Sequence, residues 1–192
     1  MAIEIERRFL VAGDAWRQHV RWQQQLQQGY LHSSADGLTV RVRLSGPTTS
    51  CGPAPGIAAE PPAEPRAWLT LKAKATPEHD QPGAALSRLE FEYAIPVDDA
   101  TVLLRLCGRR IEKRRHGLDL PGGDWVLDVF EADNAPLVVA EVELPSASAA
   151  VAVPPWCVRE LSGRHDLSNA GLANRPLGQW ARADIDALFA LT

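Results

Sequence analysis

Apolar and polar residues alternate along most of this chain with a period of two, which is typical of β-strands that bury one face. Turn signals such as Asp36-Gly37 and Gly122-Gly123 separate these runs. Because few helical patterns interrupt them, the expected fold is mainly β, within the α+β class. The predicted strands are 3–11, 29–32, 38–44, 67–74, 88–95, 110–116, 124–130, 137–144 and 156–161.

Two segments have the spacing of helices that bury one face. The first is 98–107, where Asp98 caps the start and apolar residues form a stripe. The second is 176–190, which starts near a proline. A short helix is also expected within 14–26. The first two helices are expected to cover the outside of the sheet.

One segment, 46–66, is rich in Pro, Ala, Gly and Ser and has no hydrophobic period. Proline cannot join a sheet interior, so this segment is predicted to be a mobile loop insertion between two strands. The chain has 192 residues, enough for one generous domain and too few for two ordinary ones. The whole chain, 1–192, is therefore expected to form a single domain.

The net charge is −4, which argues against a general nucleic-acid-binding protein, because such proteins are usually basic. No apolar stretch approaches the roughly 18 residues of a membrane span, and the N-terminus lacks the pattern of a signal peptide. The three cysteines are widely spaced and form no disulfide or zinc pattern. The sequence thus predicts a cytoplasmic protein that binds neither nucleic acid nor a membrane.

Charged residues gather on one face of seven predicted strands, since residues i and i+2 of a strand share a face. All three lysines of the chain belong to this face. Solvent-exposed faces usually mix uncharged polar residues with charged ones, so the pattern favours an inward-facing charged surface over a structural sheet with a solvated face. The acidic residues are Glu4, Glu6, Glu90, Glu92, Asp128, Glu141 and Glu143, and the basic residues are Arg8, Arg41, Arg43, Lys72, Lys74, Arg88, Lys113 and Arg115.

A closed barrel with this face inward would form a polar tunnel, with its apolar faces outside. Clustered carboxylates repel one another unless a cation separates them, and hard divalent metals take oxygen ligands. Clustered Arg and Lys attract a polyanion, and Arg suits phosphate through paired hydrogen bonds. The face therefore predicts a metal-bound polyphosphate. The metal is Mg²⁺ or Mn²⁺, because no Cys/His cluster favours zinc.

The segment 4–11, EIERRFLV, resembles the opening of the CYTH family, the triphosphate tunnel metalloenzymes, whose signature is ExExK. Other segments resemble the family in the same order along nearly the whole chain. The resemblance is to the short bacterial branch that hydrolyses inorganic triphosphate, and it implies a closed eight-stranded antiparallel barrel. The other matching segments are 28–31, 39–43, 70–72, 88–92, 111–115, 127–130, 140–144 and 154–156.

The resemblance also implies a role for each charged residue of this face. The signature lysine and a tyrosine of the family work together at the reacting phosphate, and the matching positions are Arg8 and Tyr30. The first metal would be held by Glu4, Glu6, Glu141 and Glu143, while Glu90, Glu92 and Asp128 would hold a second metal or the attacking water. Phosphates would be contacted by Arg41, Arg43, Lys72, Lys74, Arg88, Lys113 and Arg115.

Arg8 departs from the family pattern, because lysine is expected at this position. If that lysine transfers a proton, arginine cannot replace it, since a guanidinium stays protonated; if its role is electrostatic, arginine suffices. The first hypothesis is metal-dependent hydrolysis of inorganic triphosphate. The alternatives are a nucleoside or thiamine triphosphatase or adenylate cyclase, and a non-catalytic module that binds polyphosphate or a cyclic nucleotide. The expected partner is a small triphosphate-bearing molecule, and the expected assembly is a monomer or homodimer.

Overall fold

The computed structural model describes residues 2–34, 37–46, 64–74, 87–146 and 148–190, without the side chains of residues 2–4, 74, 87 and 88. The predicted loop 46–66 lies mostly outside the described residues. The prediction of a mainly β fold with few helices is confirmed. The strands are β1 (Ala2–Val11), β2 (Val20–Ser33), β3 (Thr39–Gly46), β4 (Arg66–Lys74), β5 (Ser87–Ile95), β6 (Arg110–Leu118), β7 (Asp124–Phe130), β8 (Val138–Glu143) and β9 (Cys157–Glu160).

Helices are short and connect or follow the strands. Among the described residues, α1 spans Val97–Leu106, α2 spans Asn169–Asn174 and α3 spans Arg182–Phe189. None of the helices in this part of the chain is long and apolar enough to span a bilayer. Short 3₁₀ helices occupy Ala15–His19, Ala132–Asn134, His165–Leu167 and Leu177–Gln179.

The strands form one nine-stranded antiparallel sheet in the order β5-β4-β3-β2-β6-β7-β8-β1-β9. One edge of β1 pairs with β8 over Glu6–Leu10. Its other edge is divided between β5, at Ala2–Ile5, and β9, at Phe9–Val11. The sheet therefore curves until β5 meets β1 at one end only. The prediction of a closed eight-stranded barrel is therefore wrong. The sheet does not close, because β5 pairs with only the first residues of β1 and β9 pairs with the last ones.

The strand β2 is much longer than the sequence predicted. The short helix expected within 14–26 is the 3₁₀ helix Ala15–His19, and β2 already starts at Val20. The run 23–28 contains five glutamines and one leucine, so it lacks the apolar alternation that reveals a strand. Its pairing with β6 and β3 supplies the tertiary context that overrides this weak local pattern.

The outer face of the sheet is apolar and is covered in two places. Trp16, Trp125 and Trp156 belong to one buried cluster. Leu104 of α1 and Val42 of β3 belong to a second buried cluster on this face. The prediction of a helix over 98–107 that covers the outside is thus confirmed within one residue at each end.

The inner face is apolar at one end, where the C-terminal segment, residues 161–189, packs into it. Leu10, Ile111 and Phe130 lie on the same strand faces as charged residues two positions away, and they form a buried cluster with Leu167 and Leu188. The C-terminal segment therefore fills this end of the curved sheet.

The predicted single helix over 176–190 is wrong in two ways. It is a 3₁₀ helix, Leu177–Gln179, followed by α3, because Trp180 adopts an extended backbone between them. It also packs against the inner-face cluster instead of covering the outside. Apolar spacing shows that a helix has a buried face, but it does not show which side of a sheet that face contacts.

Candidate functional site

A cavity of about 80 Å³ lies on the inner face, between the charged middle of the strands and the C-terminal segment. Its wall comes from β1, β2, β3, β4, β6 and β8, together with Ser168, Asn169 and Ala170 of the C-terminal segment. The alternation of the strands turns charged side chains of all these strands except β2 toward one space. Of the predicted site residues, the cavity brings together Glu6, Arg8, Tyr30, Arg41, Arg43, Lys72, Arg115 and Glu141.

The other predicted residues do not line this cavity. Lys113 and Asp128 are fully buried behind it, and Glu90 and Glu92 contact its cations. Glu143 is exposed, and it pairs with Glu6 in the register of β1 and β8. The side chains of Glu4, Lys74 and Arg88 lie outside the described residues.

The Asp128 network, formed by Asp128, Lys113, Arg115 and Glu141, is the tightest charged group of the site. Arg115 donates to both oxygens of Asp128 at 2.7 and 2.8 Å, and Lys113 Nζ lies 2.5 Å from Asp128 Oδ2. Arg115 also donates to Glu141 at 2.8 Å. Each charge of this network therefore has a close partner of opposite sign, as buried charges require.

The network also shifts the pKa values of its members. Burial alone would raise the pKa of the Asp128 carboxyl, but Arg115 and Lys113 hold it well below its usual range. Burial lowers the pKa of Lys113 to about 8, and Asp128 opposes this effect. Burial would also lower the pKa of Arg115, yet Asp128 and Glu141 raise it. Asp128 and Arg115 therefore stay ionised at neutral pH.

The arginine pair, Arg41 and Arg43 of β3, has looser contacts. Arg41 lies 3.4 Å from oxygens of Glu90 and Glu92, and Arg43 lies 3.8 Å from Glu92. The Nε atoms of both arginines are buried and have no hydrogen-bond partner among the described residues. Burial, with repulsion from Arg41 and Arg115, lowers the pKa of Arg43 to about 10. Cations crowded in this way favour a bound anion.

Tyr30 presents its hydroxyl to the same cavity. Gln28 Nε2 donates to the Tyr30 hydroxyl at 2.8 Å, which leaves the phenolic hydrogen able to donate elsewhere. Burial raises the pKa of Tyr30 to about 12. Tyr30 is therefore protonated at neutral pH and can act there as a hydrogen-bond donor.

Arg8 lines the cavity, but its guanidinium is bonded to the C-terminal segment. Its two terminal nitrogens donate to the main-chain oxygens of Leu167 and Arg164, each at 3.1 Å. Its Nε lies 3.8 Å from Glu6. The predicted role of Arg8 at the reacting phosphate stays a prediction.

The site residues predicted from the sequence include none from the C-terminal segment, although this segment contributes to the cavity. Asn169 Oδ1 accepts a hydrogen bond from Lys113 Nζ at 3.1 Å. Ser168 caps α2 by accepting from Gly171 N at 3.0 Å. An N-cap serine followed by the apolar residues of a short helix was the available signal. Nothing local shows that this helix reaches Lys113, which lies 56 positions away.

Carboxylates of the cavity can be ligands for a hard cation. Glu6 and Glu141 lie on neighbouring strands and line the same space. No group of three or more His, Cys, Asp or Glu with metal-binding geometry occurs within the described ranges. A site built from two carboxylates still fits Mg²⁺, which usually binds one or two carboxylates together with substrate phosphates.

Comparisons with known proteins agree on one family. The CYTH domain model matches residues 2–172. The inorganic triphosphatase of Acetivibrio thermocellus is 33% identical over 178 residues, which are 92% of this chain and 96% of that protein. The inorganic triphosphatase of Nitrosomonas europaea is 34% identical over 176 residues, which are 88% of this chain and 96% of that protein. The crystal structure of an inorganic triphosphatase has a TM-score of 0.55 at 29% identity and covers 90% of this chain and 95% of that one.

Proposed function

The chain belongs to the CYTH-domain family, and from that premise we propose that it hydrolyses inorganic triphosphate to pyrophosphate and phosphate with a divalent metal ion. The family match confirms the resemblance that the sequence indicated. Two relatives that align over almost their whole length are inorganic triphosphatases. The observation that carries the proposal is the cavity in which arginines and a lysine surround two carboxylates.

The cations of the cavity suit a linear polyanion. Arg41, Arg43, Lys72 and Arg115 come from three different strands and surround one space. Burial and repulsion between the cations lower the pKa of Arg43, and an anion between them would relieve the repulsion. Arginine can bind phosphate oxygens with two hydrogen bonds at once. We assign these four residues to binding of the phosphate chain.

Glu6 and Glu141, which line the cavity, would hold the divalent metal ion. We propose Mg²⁺ or Mn²⁺, because both bind carboxylate and phosphate oxygens. The ion would neutralise negative charge on the phosphate oxygens and so favour attack by water. Glu141 is held by Arg115 at 2.8 Å, which fixes the direction of its carboxylate.

The remaining residues orient these groups or donate hydrogen bonds. Tyr30 can donate its phenolic hydrogen to a phosphate oxygen, because its pKa near 12 keeps it protonated. Asp128 holds Arg115 through two hydrogen bonds, and Glu90 lies 3.1 Å from Lys72. Phosphoryl transfer depends mainly on positioning and charge stabilisation, and this arrangement supplies both.

The proposal is tested by phosphate release from inorganic triphosphate with Mg²⁺, Mn²⁺ or EDTA. ATP and thiamine triphosphate are assayed in parallel, since the sequence left nucleoside and thiamine triphosphates open as alternative substrates. We expect metal-dependent release that is fastest with inorganic triphosphate and falls at least about a hundredfold in Glu6→Gln, because charge stabilisation of this kind contributes several kcal/mol. If phosphate release is faster with ATP or thiamine triphosphate, the proposed substrate is wrong and that compound replaces inorganic triphosphate.

The matched control is Glu131→Gln. Glu131 also pairs with an arginine, Arg114, but it lies outside the cavity, so phosphate release should stay within about threefold of wild type. If folded protein binds triphosphate or a cyclic nucleotide without releasing phosphate, the chain is a binding module and the hydrolase proposal is wrong. Thermal stabilisation by each compound measures that binding.

A further inference from the structure

Arg8 connects the first strand to the C-terminal segment through both its side chain and its main chain. Its side chain is 5% exposed and donates to the main-chain oxygens of Arg164 and Leu167. Its main-chain nitrogen donates to Ser162 Oγ at 3.1 Å, and its main-chain oxygen accepts from Leu161 N at 2.7 Å. These four hydrogen bonds attach residues 161–167 to β1 directly beside the cavity.

The two side-chain bonds depend on the shape of the guanidinium. Its terminal nitrogens are separate, coplanar donors, and each reaches a different carbonyl oxygen. A lysine ammonium places all its hydrogens on one nitrogen, so it cannot span the same two acceptors unless the segment moves. The arginine at position 8 therefore matches the path of this segment.

The residues that follow these carbonyls form part of the cavity wall. Ser168 and Asn169 line the cavity, and Asn169 accepts a hydrogen bond from the buried Lys113. Leu167 is 1% exposed and packs in the inner-face cluster. The position of Asn169 thus depends on two sets of contacts. Arg8 holds the residues that precede Asn169 in the segment, and Lys113 donates to Asn169 itself.

We propose that Arg8 is a positioning residue, which holds the C-terminal segment so that Asn169 meets Lys113 and closes the cavity wall beside the substrate. This inference rests on the proposed function. In this role Arg8 acts through Asn169, whereas the family resemblance implies direct action at the reacting phosphate. The two roles predict opposite results for Arg8→Lys, which restores the residue that the family pattern expects.

The test combines steady-state hydrolysis of triphosphate with hydrogen–deuterium exchange of residues 161–172. In Arg8→Lys we expect exchange of this segment to increase at least about tenfold and kcat to fall at least about tenfold, because a loosened wall misplaces the bound substrate. KM should change less than about threefold, since Arg41, Arg43, Lys72 and Arg115 still bind the phosphates. An unchanged or higher kcat, or unchanged exchange, would overturn the proposal.

Two further variants separate positioning from a general structural role. Asn169→Ala should lower kcat by a similar factor, and the double variant Arg8→Lys/Asn169→Ala should be little worse than either single variant, because both changes displace the same wall. Fully additive losses would contradict this coupling. The matched control is Arg43→Lys, a cavity arginine whose ion pair is with Glu92 of β5, and this variant should not increase exchange at 161–172.

The outcomes remain separable if a variant or the activity fails. If Arg8→Lys does not fold, Asn169→Ala alone decides, and an unchanged kcat in that variant overturns the proposal. If wild-type protein releases no phosphate with either metal, the proposed function is wrong and exchange decides the role of Arg8. Loss of protection in both Arg8→Lys and Asn169→Ala, but not in Arg43→Lys, would then support the attachment, and unchanged protection would overturn it.

Discussion

The Asp128 network and the arginine pair lie on the same inner face but differ in how their charges are satisfied. In the Asp128 network, contacts between opposite charges are 2.5 to 2.8 Å long. Contacts of the arginine pair with Glu90 and Glu92 are 3.4 to 3.8 Å long. Both Nε atoms of that pair lack a hydrogen-bond partner among the described residues. We therefore expect the first group to contribute stability and orientation, and the second to bind an incoming anion.

The largest effect should come from breaking the Asp128 network. Asp128→Asn removes the charge that neutralises two buried cations, so we expect the free energy of unfolding to fall by about 3 to 5 kcal/mol. Urea denaturation monitored by tryptophan fluorescence measures this change. The matched variant is Glu92→Gln, whose side chain is 35% exposed and lies 3.4 Å from Arg41, and it should cost about 1 kcal/mol or less. Equal losses in the two variants would contradict the comparison.

A second test asks whether the loss of folding stability at mildly acidic pH arises from a group outside the cavity. His116 lies on the opposite face of β6 from Arg115. Its ring packs on that of Trp16, with the two ring centroids 4.9 Å apart. Burial, with the nearby Arg114 and Arg17, lowers the pKa of His116 to about 4. Between this value and the ordinary pKa near 6.5, the unfolded chain binds the proton and the folded chain does not.

Stability should therefore be complete above about pH 6.5 and decrease as the pH falls toward 4, by up to about 3 kcal/mol. Chemical denaturation at several pH values measures the slope, and His116→Gln should flatten it. Asp128 contributes little to this slope, because both its ordinary pKa near 3.9 and its lower pKa in the folded protein lie below this range. A slope that persists in His116→Gln would assign it to titratable groups other than His116.

A change in the arginine pair should weaken substrate binding strongly and alter the free energy of unfolding little. Arg43→Gln removes a phosphate donor, so KM for triphosphate should rise about tenfold to a hundredfold, as expected for a hydrogen bond to a charged group. The free energy of unfolding should change by less than about 1 kcal/mol, because repulsion from Arg41 and Arg115 is relieved. Arg114→Gln is the control outside the cavity. A loss of stability comparable to that of Asp128→Asn would remove the distinction between the two groups.

The smallest expected effect is the response to salt. Raising the ionic strength from about 0.1 M to about 1 M shortens the screening length from about 10 Å to about 3 Å. Triphosphate should bind roughly tenfold more weakly, because its attraction to the cavity cations is screened as it enters. The melting temperature without ligand should change little, since the Asp128 network is buried. Calorimetric titration and thermal melts in matched buffers measure the two responses.

Much of the site was predictable because strand alternation is a local property. The parity of positions 41 and 43, or of 113 and 115, places each pair on one face whatever the rest of the chain does. The family resemblance added Tyr30, which strand patterning alone does not distinguish from a core residue. Neither source of information shows that Asp128 is buried among cations whereas Glu141 lines the cavity.

The sequence by itself determined the mainly β class, the charged inner face and the family, because each depends on residue types at short, regular spacing. Only the tertiary structure decided that β9 shares the edge of β1 with β5, and that the C-terminal segment fills one end of the sheet. It also decided the partners of Arg8, which donates to Leu167 from 159 positions away. Contacts of that kind depend on how whole elements pack, and no local spacing of residues encodes them.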